Sequence, residues 1–448
     1  MKVSIFFEEE FLGVYPSLIN CINLLSPVCS FIEIISGERD TNFPAPPPFE
    51  DNVYFSKVQQ KLNYNRNHFD SQNDKIDIVN NPSECTHSWK RLMPECLKVI
   101  FRNYRNLIGE NLVNWHTQYN WFKEKLIYYF FCISKAKKNN PEIIIAVDES
   151  GLIAALLVSI ICRKPKPKII FWSLETGLVI GKSSLLLTRI HELFFALSCR
   201  FADVIVTQEK SRLADLEKKI NHRISRVPKF FIPHSPLGQS EERNRNSRGD
   251  FFHKMFSLSN IDKVILHAGW IHDGMCVDKI ATSSKSWKSE FRLVLHEREK
   301  RSPQEDFIRH VSKLSGNRAL LSLNPVTFDR IDEVISSAHI GLIAYDSKYG
   351  AGRVNIRKSS GKLSQYLKCG VPVIALKLPG YEEMFTQYKC GLVFESFDQI
   401  EQCIDTIMSE YQSFSEEAFR CFSEEFDFNK FFSPLLMHLE NIKSSKPI

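Results

Sequence analysis

Apolar residues along the chain cluster in two ways. Short runs rich in Ile, Val and Phe read as strands, and longer runs with helical spacing read as helices. Val3 to Phe7 fits a strand, Pro16 to Leu25 a helix and Phe31 to Ile35 a second strand. The proline-rich FPAPPPFED that follows must be loop or extended chain. Lys75 to Val79 is a candidate third strand, and helical periodicity runs through Leu92 to Leu107 and Trp121 to Ala136. Next comes the continuous apolar run Glu142 to Val147, broken by Asp-Glu-Ser-Gly and followed by a helix over Leu152 to Cys162. Lys168 to Trp172 is the next strand, Ser183 to Arg200 a long helix, and Asp203 to Val206 another strand. Apolar strands alternating with helices are covered on both faces, which predicts an α/β fold with a doubly wound parallel sheet.

The pattern then lapses. PLGQSEERNRNSRGD, residues 236–250, has almost no apolar content and reads as a linker. Beyond it the alternation restarts with KVILHAGW, FRLVLHE, RALLSL, IGLIAYD, VPVIAL and GLVF as strand candidates. The pattern therefore predicts a first Rossmann-like domain over 1–235, a linker over 236–250 and a second Rossmann-like domain over 251–425. A helical end over 426–448 is expected to return to the first domain.

Composition agrees with this division. A chain of 448 residues with 43% hydrophobic and 25% charged residues suits two globular cores. The net charge of +6 is mild and lacks a Lys/Arg block, so a nucleic-acid partner is not expected. The twelve cysteines form no C-x-x-C pair and sit mostly in apolar runs, as expected of reduced thiols in a cytoplasmic protein. MKVSIFFEEEF does not read as a signal peptide, and no apolar run reaches the roughly eighteen residues of a membrane span. KSSLLLTRIHELFFALSCRF is both basic and apolar; it reads as a core helix or as a contact with a membrane surface.

The most informative stretch is GAGRVNIRKSSGKLSQYLKCGVPVIALKLPGYEEMF. A loop with Arg353, Arg357 and Lys358 feeds Ser359, Ser360 and Gly361, which open a helix running to Lys368. The free N–H groups and dipole of a helix start at a strand's carboxyl end favour an anion, and ligands bind at that edge of open α/β sheets. An ordinary N-cap in a basic surface loop is the competing reading. Lys362 and Gln365 share one face of this helix.

This stretch resembles the donor-binding region of the GT-B glycosyltransferases, especially the large retaining family four. Their shared pattern is a Lys-Leu-x-Glu-Tyr-Leu helix, then x-x-Gly-x-Pro-Val-Ile-Ala, then a Pro-Gly or Gly-Gly turn and a Glu. The chain has Lys362-Leu363-Ser364-Gln365-Tyr366-Leu367, Gly370-Val371-Pro372-Val373-Ile374-Ala375, Pro379-Gly380 and Glu382-Glu383. The resemblance implies transfer of a sugar from a nucleotide-diphosphate sugar to a glycan or lipid-linked hydroxyl acceptor, in surface polysaccharide or lipid-linked glycan assembly. Retention at the anomeric carbon follows from the resemblance alone. Lys362, with Ser360 and Gly361, would hold the diphosphate, Arg353 or Arg357 assisting, and Glu382 or Glu383 would lie near the donor. Two departures stand out. Gln365 replaces the usual second glutamate of the helix, and Arg357 stands where the first would be. After KVILHA, Gly269-Trp270 and Asp273-Gly274 replace the usual Gly-Arg and Lys-Gly, so the loop from Arg353 to Lys362 is expected to supply the missing charge.

In the first domain, Asp148 and Glu149 stand where the family often places a His or acidic group. Carboxylates at a strand's carboxyl end suit acid/base work or hydroxyl binding, and serve equally as N-caps. Glu175, ending the next strand, is a further catalytic candidate. Gly13, Tyr15 and Ser17, after the first strand, are candidate acceptor contacts. No Asp-x-Asp motif occurs, which fits a metal-independent enzyme without cofactors, the charge being neutralised by protein groups. A metal-independent nucleotide-sugar epimerase and a non-catalytic partner subunit are the rival readings of the same fold.

Overall fold

The computed structural model describes residues 1–9, 11–37, 41–58, 120–162, 165–175, 186–220, 224, 227–238, 249–346, 348 and 354–444. The expected strand Lys75 to Val79, the helix Leu92 to Leu107, most of the linker and Arg353 lie outside these residues.

The first sheet comprises β1 (Lys2–Phe6), β2 (Phe31–Gly37), β3 (Val53–Val58), β4 (Ile143–Val147), β5 (Lys168–Trp172), β6 (Val204–Thr207) and β7 (Lys229–Phe231). Its order is β3-β2-β1-β4-β5-β6-β7, and every pairing is parallel. The second sheet comprises β8 (Lys263–Ala268), β9 (Phe291–His296), β10 (Leu320–Ser322), β11 (Ile340–Ile343), β12 (Val373–Leu376) and β13 (Gly391–Phe394). Its order is β10-β9-β8-β11-β12-β13, again all parallel. In each sheet the direction of winding reverses beside the first strand, between β1 and β4 and between β8 and β11. A crevice opens at the carboxyl ends of the strands at such a switch point.

The edge strand β3 was not singled out by periodicity. Two of its large residues, Tyr54 and Phe55, are exposed, so it lacks the unbroken apolar run of an inner strand. β4, by contrast, is buried at every position.

The helices that shape the site are α1 (Pro16–Leu25), α2 (residues 120–139), α3 (Asp148–Ile161), α4 (Leu186–Ser198) and α5 (Lys210–Lys219) in the first lobe. In the second lobe they are α6 (Gly361–Lys368), α7 (Tyr381–Tyr388) and α8 (Tyr411–Glu425). The last helix, α9 (Phe428–Ser444), inserts Phe428, Phe432, Leu435 and Leu439 into the core beneath the first sheet. Its Phe428 and Phe432 rings lie parallel to Trp172, each with centroids 6.3 Å from it. The chain thus crosses back to the first lobe because its closing helix carries an apolar face that only that lobe covers.

α3 packs unusually close to the sheet. A Cβ on Gly151 would stand 2.6 Å from the Phe6 carbonyl oxygen and 3.2 Å from the Ala146 carbonyl carbon. Both obstacles are backbone, so they cannot swing aside. Gly151→Ala is expected to destabilise the protein by about 1–3 kcal/mol, the usual range for overpacking. A lowered urea midpoint checks this, and an unchanged midpoint would mean that α3 does not sit this tightly.

The lobes are pinned together along one side. His234 N donates to Lys358 O at 2.8 Å and Ser364 Oγ to His234 O at 2.9 Å. Asn355 Nδ2 donates to Asp215 Oδ2 at 2.7 Å. The buried Arg212, near the start of α5, donates to Ser359 Oγ at 2.7 Å and to Leu174 O at 3.0 Å.

Candidate active site

α6 begins where Ser360 takes the N-cap: its Oγ accepts from Leu363 N at 3.3 Å. The same Oγ lies 2.9 Å from Tyr345 Oη, just beyond β11, which ties the helix start to the carboxyl edge of the sheet. Lys362, in the first turn, places Nζ 3.2 Å from His267 Nε2 and 5.4 Å from the centre of the Tyr345 ring. An ammonium only donates, so toward Lys362 the His267 Nε2 acts as acceptor; the same nitrogen lies 3.4 Å from the Trp270 carbonyl oxygen. Burial, and then the Lys362 charge, hold the His267 pKa well below its ordinary value.

Gly269 makes this placement possible. It has φ +117°, and a Cβ there would lie 2.6 Å from Lys362 Cε. The turn after β8 and the lysine stem thus share a space that a side chain would fill. One turn along α6, Tyr366 Oη accepts from Ala268 N at 2.8 Å and donates to Leu266 O at 2.8 Å. The end of β8 is therefore clamped to the helix that carries Lys362.

The first lobe meets this edge through His234. Its Nδ1 lies 2.9 Å from Ser17 Oγ, and Tyr15 packs edge-on against the ring at 6.1 Å. A Cβ on Gly361 would come within 3.0 Å of His234 Cδ2, so the imidazole abuts the α6 start. Burial, then the charges of Arg298 and Arg212, push the His234 pKa down to about 3, so the ring is neutral in ordinary buffers. Tyr15 and Ser17 thus converge on His234, which pattern reading did not single out: an isolated His in Pro-His-Ser-Pro carries no periodic signal.

The three catalytic candidates separate. Asp148 has a left-handed φ of +53°, uncommon for a residue other than glycine. Its Oδ1 accepts from Leu174 N at 2.8 Å and Glu175 N at 2.9 Å. Burial, then Glu175, raise its pKa well above the ordinary carboxyl value. Glu175 is exposed beside it. Glu149 turns the other way: it pairs with Lys219 of α5 and lies 3.7 Å from His191 of α4. It belongs to the helical layer of the first lobe, correcting its expected place at the reaction centre. The Lys219 ammonium draws the carboxylate into that layer, with the neutral His191 beside it.

The donor candidates also divide. Ser360, Gly361 and Lys362 stand together, and Gln365 is partly exposed one turn further on. Arg357 and Lys358 do not stand as open cations. Arg357 Nη2 is 3.3 Å from Glu209 Oε2, and its stem lies against Gly380. Lys358 Nζ is 2.6 Å from Glu425 Oε2 and 5.3 Å from the Phe431 ring centre. Glu382 and Glu383 are exposed in the first turn of α7, where Glu382 pairs with Lys377 at 3.3 Å. They line a shallow depression with Thr386 and Gln387. Among the described residues, no group of three His, Cys, Asp or Glu side chains could hold a metal ion.

Solved structures share this architecture. Sucrose-phosphate synthase from Thermosynechococcus elongatus superposes with a TM-score of 0.66, at 10% identity and over 100% of both chains. Anabaena HepE in complex with UDP-glucose gives 0.61 at 11% identity, over 98% of this chain and 100% of that one. WaaG, a glycosyltransferase involved in lipopolysaccharide biosynthesis, gives 0.59 at 11% identity, over 96% of this chain and 97% of that one. At such identities the likeness shows the GT-B fold. No curated protein sequence matches the chain. Residues 327–438, however, match the family described as the glucosyltransferase 3-like C-terminal domain, and they include all of α6. The chain is a glycosyltransferase of the GT-B fold. In this glycosyltransferase the family match falls on the lobe that carries Ser360, Gly361 and Lys362.

Proposed function

We propose that the chain transfers a glucosyl or related sugar from a nucleoside-diphosphate sugar to a hydroxyl of a glycan or lipid-linked acceptor. Surface polysaccharide or lipid-linked glycan assembly is the setting proposed. The observation that carries the donor assignment is Lys362, laid along Gly269 at the start of a capped helix and flanked by His267 and Tyr345. As the bond from the sugar to the diphosphate breaks, negative charge gathers on the leaving phosphate. An ammonium and the helix N–H groups already aimed there stabilise it without reorganisation. UDP is the first nucleotide to test, because Anabaena HepE is described in complex with UDP-glucose.

On the acceptor side, Asp148 and Glu175 are proposed to orient the attacking hydroxyl. The carboxyl held up by burial, Asp148, suits hydrogen bonding, while the exposed Glu175 is the group placed to take the hydroxyl proton. Neutralisation by protein cations is proposed in place of a metal. No described helix is long and apolar enough to cross a membrane. Peripheral contact at the inner face of a membrane is proposed through α4, where Leu193, Phe194 and Leu197 are exposed near Arg189 and Arg200.

Thermal unfolding with a panel of nucleoside diphosphates and their glucose adducts tests the donor assignment. A ligand at a hundred times its Kd should add about 2.7 kcal/mol of stability. One nucleotide should raise Tm well above the rest; a panel that leaves Tm unmoved would end this reading.

A further inference from the structure

A second pair of groups at the carboxyl edge of the second sheet lacks partners. Trp270 and Arg298 follow β8 and β9, and the strands pair Ala268 with His296, so the two residues stand in register just beyond the ladder. The guanidinium carbon lies 4.9 Å from the Trp270 ring centre. Both side chains are partly exposed as a whole, yet Arg298 Nε and Trp270 Nε1 are sealed from solvent and neither has a hydrogen-bond partner. Arg298 forms no ion pair among the described residues. Both groups can only donate. Two neighbouring buried donors without an acceptor, one of them charged, are costly.

The backbone around them is set. Gly269 N donates to His296 O at 2.9 Å, and Ile271 N to Glu297 Oε2 at 2.9 Å. Across the cleft, the Glu175 carboxylate of the first lobe is near enough to act on the Arg298 charge. On the other side of the same glycine lies Lys362.

We propose that Arg298 and Trp270 are the second half of the donor's diphosphate cradle, taking phosphate oxygens as their missing acceptors while Lys362 and the α6 start hold the other side. This inference rests on the donor reading above. It explains how the chain dispenses with the basic residues that Trp270 and Asp273 replace: the cation comes from the end of the next strand and is held flat by an indole. A guanidinium suits this task because it presents several fixed donors to phosphate.

Calorimetric titration of the full chain with UDP, UMP and inorganic pyrophosphate tests it. For Arg298→Gln, UDP and pyrophosphate affinity should fall about tenfold to a hundredfold, the worth of a charge-assisted bond, and UMP affinity by less than about threefold. Arg298→Lys should recover part of the loss. The unliganded Arg298→Gln protein should melt no lower than wild type, since an unpaired buried charge is removed. Equal losses for UDP and UMP, or none, would overturn the role of Arg298 and leave the donor site standing. Wild-type protein that binds none of the three would overturn the donor reading and this inference together.

Discussion

Lys362→Ala is expected to lower the rate of sugar transfer by about a hundredfold to a thousandfold, the usual cost of removing one preorganised donor from a developing oxyanion. The lysine is poised rather than merely present. Its stem occupies the space a Gly269 side chain would take, and its ammonium lies 3.2 Å from a neutral imidazole. Such a partner orients the cation without cancelling its charge. The loss should fall on kcat as well as on donor affinity, because the charge on phosphate is greatest as the bond breaks. Lys362→Arg should recover little, since a planar guanidinium does not fit along the glycine turn. Release of UDP from UDP-glucose is the readout, with Tm as the check on folding. A loss below about threefold with an unaltered Tm would remove Lys362 from the leaving-group site.

The second large effect is on acid stability. Burial, then neighbouring cations, hold the pKa of His234 down to about 3 and of His191 to about 4. Burial alone does the same for His296, at about 4, and burial followed by Lys362 keeps His267 well below its usual value. Each lowered histidine stays neutral in the folded chain while the unfolded chain takes up its proton below about pH 6.5. The unfolded state then binds more protons, so stability falls with pH by up to about 1.4 kcal/mol per pH unit for each such group. Asp148 and Glu297 act the other way. Burial raises both carboxyls, Glu297 to about 7, so the folded chain keeps protons that the unfolded chain has released. Glu192 is raised as well, by burial and then Glu149. Four histidines against three carboxyls leave a net loss between about pH 6 and 4.5. Urea midpoints at pH 6, 5.5 and 5 should fall in that order. A flat or rising series would mean that the imidazoles are not held neutral.

The fold was largely legible before any coordinates. The runs around β4, β5, β6 and β8 are apolar over most of their length because both faces of an inner parallel strand are covered, and such a run has few other uses. The Ser360 cap and the face carrying Lys362 were legible for a related reason. A helix start is a local event, written in consecutive residues. Strand β3 was missed because an edge strand carries only a weak alternation.

The rest of the site belongs to the tertiary structure. Arg357, Lys358 and Glu149 read as open charged groups until the fold brought them Glu209, Glu425, Lys219 and His191 from distant elements. His234, Arg212 and Arg298 gave no sequence signal, because their importance lies in what they face in the folded chain; Trp270 was legible only as a departure from the family pattern. By itself the sequence determined the two wound sheets and the helix start that presents Lys362, since periodicity and capping act over a few residues. Only the tertiary structure decided which charges are drawn into ion pairs with distant elements and which stand beside the cleft, because those contacts are made far along the chain.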